Sequence, residues 1–253
     1  MVGMINKFVS SHAVTLPAVE HLKSAGNVGV AETAAAVEQP ITSSSVSTLA
    51  RQLSDAARRA ESRDSTLGYK ALGEKARSLL NEITGTHYHQ RREQHHTELP
   101  DTEDQQLLAR SRQATEYLKG EASNPFRGLS RDQLALITYD EGNDFTVNER
   151  RAAWGEACRQ EQIWRQGVVQ RASAEYAATG EYTSFFEEVF SHYESLPAIE
   201  RAQYPKSYAD GLLQKMSSGA DDISDDVNEM IFDIYPSLNA SHGINLLYLK
   251  NSV

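Results

Sequence analysis

Two capping boxes in one short stretch constrain this chain more than anything else in it. Ser130 is followed three positions on by Gln133, and Thr146 by Glu149. In such a box the hydroxyl accepts from the backbone N–H three residues ahead. The Glu or Gln side chain reaches back to the first residue's own N–H. Each box therefore fixes a helix start. The first opens a short apolar helix with Leu134, Leu136 and Ile137. The second opens a helical pattern over 147–179 that Gly180 ends, with Gly167 as a bend. Ala153, Trp154, Ala157, Cys158, Trp164, Val168, Ala172 and Tyr176 form its stripe, which reads as a core face. Between the boxes lies an acidic loop holding Gly142 and Asn143.

The rest of the chain repeats the helical period. Val46, Leu49, Leu53, Ala56 and Ala60 step by three and four, with Arg58, Arg59, Glu61 and Arg63 as the wet end of that helix. Leu72, Ala76, Leu79, Leu80 and Ile83 share a face over 66–84, and Gly85 reads as the stop. The short break between these two predicts an antiparallel hairpin. Further helices are predicted over 103–120, around Phe185–Tyr193, over 197–203, over 205–216 with Pro205 in its first turn, and over 224–234. A last apolar strip covers 244–249. No strand–helix–strand alternation appears, so the expected class is all-α: a multi-helix bundle carrying one tight helix–loop–helix. The expected divisions are a mobile Ser-rich leader over 1–44, a helical hairpin over 45–85, a His-rich polar linker over 86–104 and a helical domain over 105–253.

Charge and length exclude several classes. Residues 181–253 carry 4 basic and 12 acidic side chains, which accounts for most of the net −10. That acidity argues against nucleic-acid binding, which needs a basic footprint, and suits a cation or a basic protein partner. No apolar run is long enough for a membrane span or a secretory signal. The expected location is cytoplasmic, or exported without a cleaved signal peptide. Cys158 is the single cysteine, so no internal disulfide or cysteine-based zinc site is available, and its place in an apolar helix reads as a buried thiol.

The loop before Glu149 resembles a degenerate EF-hand loop. With Glu149 at position 12, Asp140 falls at 3, Asn143 at 6, Asp144 at 7, Phe145 at 8 and Thr146 at 9. Asn tolerates the left-handed turn required at 6, and the apolar residue at 8 packs inward. The resemblance implies a weak calcium site built from Asp140, Asp144, Thr146 and Glu149. Two departures stand against it: Thr138 replaces the usual Asp at position 1, and Gly142 offers no side chain at 5. A metal-free helix–loop–helix held by its cap is the competing reading. Calcium is thus an optional cofactor.

His87, His89, His95 and His96 crowd the polar stretch that follows Gly85. On a continuous helix His89, Glu93 and His96 share a face acceptable to zinc. A solvated linker is the alternative. Elsewhere no nucleophile–base constellation or phosphate-binding loop appears. Glu187–Glu188 and Asp225–Asp226 are adjacent pairs that face apart on a helix, and His192 reads as a satisfied histidine.

Residues 129–216, with LSRDQL, YD and FTVNERRAA as landmarks, resemble a module of uncharacterised bacterial helical proteins. The Ser-rich start resembles the export leader of bacterial type III effectors. Together these readings imply a non-enzymatic helical interaction protein with a protein partner, exported as an effector. The alternatives are a weak calcium-binding module, and an enzyme toxin whose active site no motif marks.

Overall fold

The computed structural model describes residues 43–218, and every regular element among them is a helix. In chain order these are α1 (Ser43–Thr66), α2 (Tyr69–Thr84), α3 (Thr86–Gln90), α4 (Arg92–Thr97) and α5 (Gln105–Lys119). They continue as α6 (Arg131–Thr138), α7 (Val147–Thr179), α8 (Thr183–Ser195), α9 (Ala198–Arg201) and α10 (Tyr208–Ser218). Residues 1–42, the helix expected over 224–234 and the strip at 244–249 lie outside the described residues. No helix among the described residues is long and apolar enough to cross a membrane.

Helix α7 organises the bundle. Its 33 residues span about 50 Å at 1.5 Å per residue, too long for one core to cover. Its first half is buried nearly all round. Asn148, Glu149, Arg150 and Glu156 are buried there beside Ala152, Ala153, Trp154 and Ala157. Two clusters meet on that half. One joins Leu72, Ala76, Leu79, Leu80 and Ile83 of α2 to Trp154, Tyr139 and Ile199. The other joins Ala56 of α1, Ala114 of α5, Leu134 and Ile137 of α6, Phe126, Phe145 and the α7 alanines. The alanines let α5 and α6 approach α7 closely. The second half carries a separate core of Val168, Ala172, Phe185, Phe186, Val189, Tyr193, Tyr204 and Leu212, closed by α8 and α10. Burying one Phe such as Phe185 or Phe126 contributes about 1.5–3 kcal/mol, so each core is a substantial anchor.

Both capping boxes form as expected, Ser130 with Gln133 and Thr146 with Glu149. Helix α7 ends at Gly180, left-handed at φ 76°. Some expectations need correction. Helices α1 and α2 do not make a free-standing hairpin: α1 lies against α6, while α2 packs on α7 and α9. The boundaries expected near 85 and 104 do not divide the fold, because the described residues 43–218 fall within one compact unit. The reason is Tyr88, buried in the middle of the supposed linker, whose hydroxyl donates to Asn148 Oδ1 of α7 at 2.9 Å. Gly85 does end α2, but in extended backbone at φ −77°, and the chain turns straight into α3. Pro205 sits in the turn before α10 rather than in its first turn.

Candidate functional site

The loop between α6 and α7 is built around two guanidinium groups. Asn143 is left-handed at φ 59°, and Phe145 is buried among α6 and α7 residues, as the spacing predicts. Asp140 Oδ2 accepts from the Gly142 N–H at 3.2 Å, an internal turn bond. Its other oxygen accepts from Nε of Arg59 at 3.0 Å and from Nη2 at 2.7 Å. The same Nη2 donates to Asp144 Oδ2 at 2.5 Å. Arg59 therefore reaches from α1 into the concave side of the loop and holds both acids at once. A Cβ added at Gly142 would overlap the Arg59 guanidinium, so the glycine is the space the arginine fills. Partial burial lowers the Arg59 pKa, but the bonds and charges of Asp140 and Asp144 outweigh it and raise it.

The second guanidinium belongs to Arg110 of α5. Its Nε donates to Glu149 Oε1 at 2.7 Å, and its Nη2 donates to Gln52 Oε1 at 2.9 Å. Gln52 in turn donates to the Asp144 carbonyl at 2.9 Å. The Arg110 head lies over the Phe126 and Phe145 rings, at 5.7 Å and 5.3 Å. The remaining Glu149 oxygen accepts from the Thr146 N–H and hydroxyl at 2.9 Å and 3.1 Å. The groups expected to offer oxygens to calcium, the Asp140, Thr146 and Glu149 side chains and the Asp144 carbonyl, are thus engaged within the protein. Asp140 and Asp144 share Arg59, while Thr146 and Glu149 close the helix cap and meet Arg110. Among the described residues no group of three or more His, Cys, Asp or Glu side chains is placed to hold a metal ion.

The histidines are parted too. The helix expected to align His89, Glu93 and His96 breaks at Arg91 (φ −104°, ψ 15°) into α3 and α4. His95 stacks on Tyr88 at 5.2 Å and His89 meets its edge at 5.6 Å. Arg151 lies over the Tyr88 ring at 4.1 Å. Asn148 links this group to α5 by donating to the His95 carbonyl and to Thr115 Oγ1, each at 2.9 Å. His87 is exposed.

A cleft of about 250 Å³ opens beside the loop, between α1, α6 and α9. Ala56, Ala60, Ala135, Leu136, Ala198 and Ile199 line its floor. Arg63, Asp64, Asp132 and Glu141 stand at its rim with Arg59 and Asp140. Much of that rim is braced internally. Arg63 donates to Asp64 at 2.8 Å and to the Tyr139 carbonyl at 3.1 Å, and Lys75 pairs with Glu141.

A second charge network joins α6, α7, α8 and α9. Glu161 is 1% exposed and meets Arg131 Nη1 at 3.2 Å, Arg165 Nε at 3.2 Å and His192 Nε2 at 2.9 Å. Arg131 also pairs with buried Glu200 at 2.8 Å. Burial pushes the Glu161 carboxyl up, but His192, Arg131 and Arg165 together hold it down at about 2. His192 stacks on Trp164 at 3.7 Å, the satisfied histidine that its position suggested. Burial pushes the Cys158 thiol up to about 12, which leaves it protonated and a poor nucleophile at neutral pH.

Sequence reasoning missed Arg59, Arg63, Arg110, Arg131 and Glu161. For the first two a signal existed. Arg59 and Arg63 are four residues apart, beside Ala56 and Ala60, so one helix face presents two cations next to small residues. No family model, curated protein or solved structure matches the chain.

Proposed function

We propose that the protein is a non-enzymatic helical interaction module whose docking surface is the cleft between α1, α6 and α9. The cleft itself carries the reading. Its floor is apolar and its volume, about 250 Å³, falls below the roughly 300–1,000 Å³ that holds a small-molecule ligand. That size suits one or two anchoring side chains of a partner. Most of its charged rim is already paired, Arg59 with Asp140, Arg63 with Asp64 and Lys75 with Glu141, and Asp132, exposed at the start of α6, is the acid left to face a basic group. The matching partner is a helix with a small apolar face and a basic side chain beside it. Support for a non-enzymatic role comes from how the buried ionisable groups are used. Glu149, Glu161 and Glu200 all sit in ion pairs with arginines that tie helices together. The Ser-rich sequence before residue 46 motivates the finer reading of an exported effector.

A photo-crosslinking residue placed at Leu136 tests the docking surface. In native lysate it should give a discrete adduct that Ala60→Arg abolishes. The same probe at Tyr176, exposed on α7, should give none. Equal labelling from both positions, or an adduct indifferent to Ala60→Arg, overturns the proposal. Export has its own test, a reporter fused after residue 44 in a type III-competent host. A reporter that stays in the cell removes the effector reading.

A further inference from the structure

We propose that the half-buried Arg151 guanidinium of α7, resting on Tyr88 beside His89 and Arg92, is a binding site for a small soluble phosphate monoester. The site shares no residue with the cleft and does not depend on that reading. Arg151 is the exception among the arginines. Among the described residues, every other buried or half-buried arginine pairs with a carboxylate. Arg151 pairs with none, and no acid acts on its pKa: burial lowers it, Tyr88 raises it and Arg92 lowers it again. Its Nη1 donates to the Ile83 carbonyl at 2.6 Å, and its head lies over the Tyr88 ring at 4.1 Å. Its Nε and Nη2 hold no hydrogen bond among the described residues, yet neither nitrogen is enclosed. The group is thus fixed by the protein and still open to solvent.

A guanidinium keeps its charge at neutral pH, and half-burying it without a counter-charge costs hydration that one carbonyl and one ring offset only in part. An incoming anion supplies the missing charge. The free Nε and Nη2 form a planar fork that matches two oxygens of one phosphate or carboxylate. The surroundings favour the more highly charged of these. Arg92 is near enough for its charge to act on both Arg151 and Tyr88, and its Nε reaches His96 Nε2 at 3.5 Å. His89 meets the Tyr88 edge at 5.6 Å. Lys119 of α5 acts on His96. The acids of this face are engaged elsewhere: Glu98 meets His95 at 3.5 Å and accepts from the Val147 N–H, while Glu93 acts on His96. A phosphate monoester carries about −1.5 to −2 at pH 7, so a second cation beside the fork selects it over a singly charged carboxylate. The Tyr88 hydroxyl, donating to Asn148 Oδ1 at 2.9 Å, sets the platform under Arg151 before any ligand arrives. The net charge of −10 opposes approach to an anionic bilayer, which favours a soluble phosphate over a lipid headgroup.

Calorimetric titration of the full chain with inorganic phosphate at pH 7 and fixed ionic strength tests this. Wild type should give saturable heat, and sodium acetate in place of phosphate should give none. Arg151→Gln should weaken phosphate binding about tenfold or more, the size of a lost charge-assisted contact. Arg151→Lys keeps the charge without the fork and should lose nearly as much. Arg92→Gln, at an exposed position, should weaken binding roughly two- to fivefold, and it carries the test if the Arg151 variants fail to fold. Arg58→Gln, exposed on α1 and paired with Asp55, should bind as wild type does. Flotation with vesicles containing phosphatidic acid should leave the protein unbound. The proposal is overturned if wild type gives no saturable heat with phosphate, if folded Arg151 variants bind as tightly as wild type, or if Arg92→Gln alone is available and binds unchanged. Acetate binding as tight as phosphate overturns the choice of ligand, and flotation that Arg92→Gln abolishes overturns the soluble source.

Discussion

Replacing Glu161 with Gln removes a buried charge without changing its shape. Glu161 is 1% exposed and bonds to His192, Arg131 and Arg165. Its folded pKa of about 2 lies below the ordinary 4.5. At about 1.4 kcal/mol per pH unit, that difference stabilises the fold by about 3 kcal/mol at neutral pH. A second route gives a similar figure: breaking a buried ion pair by removing one partner costs about 3–5 kcal/mol. Because the folded pKa is depressed, the contribution is complete above about 4.5 and is lost as pH falls through that value towards 2. Urea unfolding of wild type and Glu161→Gln between pH 7 and pH 2 measures it. The variant should be weaker by about 3 kcal/mol at pH 7, and the gap should close as the acid limit is approached. A gap that stays constant with pH shows that packing or hydrogen bonding, not charge, sets the cost. A gap below about 1 kcal/mol at pH 7 refutes the reasoning, because surface pairs already reach that value.

Other substitutions separate the parts of the account. Thr146→Ala deletes the hydroxyl that caps α7 and should cost about 1–2 kcal/mol in urea unfolding, at the upper end for caps because its partner Glu149 is buried. Phe126→Ala, at a fully buried site, should cost about 3–5 kcal/mol, whereas Ile163→Ala, 55% exposed, should fall within about 0.5 kcal/mol of wild type. Cys158 should resist iodoacetamide at pH 8 in the native protein and react readily in urea, with mass spectrometry as the readout; fast native labelling contradicts the burial that pushes its thiol up to about 12.

What the sequence reveals divides along physical lines. Local codes were legible. Both capping boxes, the left-handed Asn143, the inward Phe145 and the extent of α7 follow from bonds closed within a few residues. The loop chemistry was half legible. The convergence of Asp140 and Asp144 is visible in their spacing, but the group they converge on lies 81 and 85 residues away in sequence. A surface-looking arginine carries no mark of such a partner. The supposed linker failed for a related reason. Its polar composition hid Tyr88, whose burial depends on Asn148, 60 residues on. The cleft left no trace because alanines from α1, α6 and α9 form its floor only after packing.

The most direct test of the central claim, that arginines rather than an ion hold the helix–loop–helix, is the melting temperature of the wild-type chain with excess chelator and with millimolar calcium. The account predicts one melting temperature in both, because Arg59 and Arg110 already neutralise Asp140, Asp144 and Glu149. A melting temperature several degrees higher with calcium, or lower with chelator, contradicts it: an ion bound at 100 times its dissociation constant adds about 2.7 kcal/mol, which no melting curve conceals.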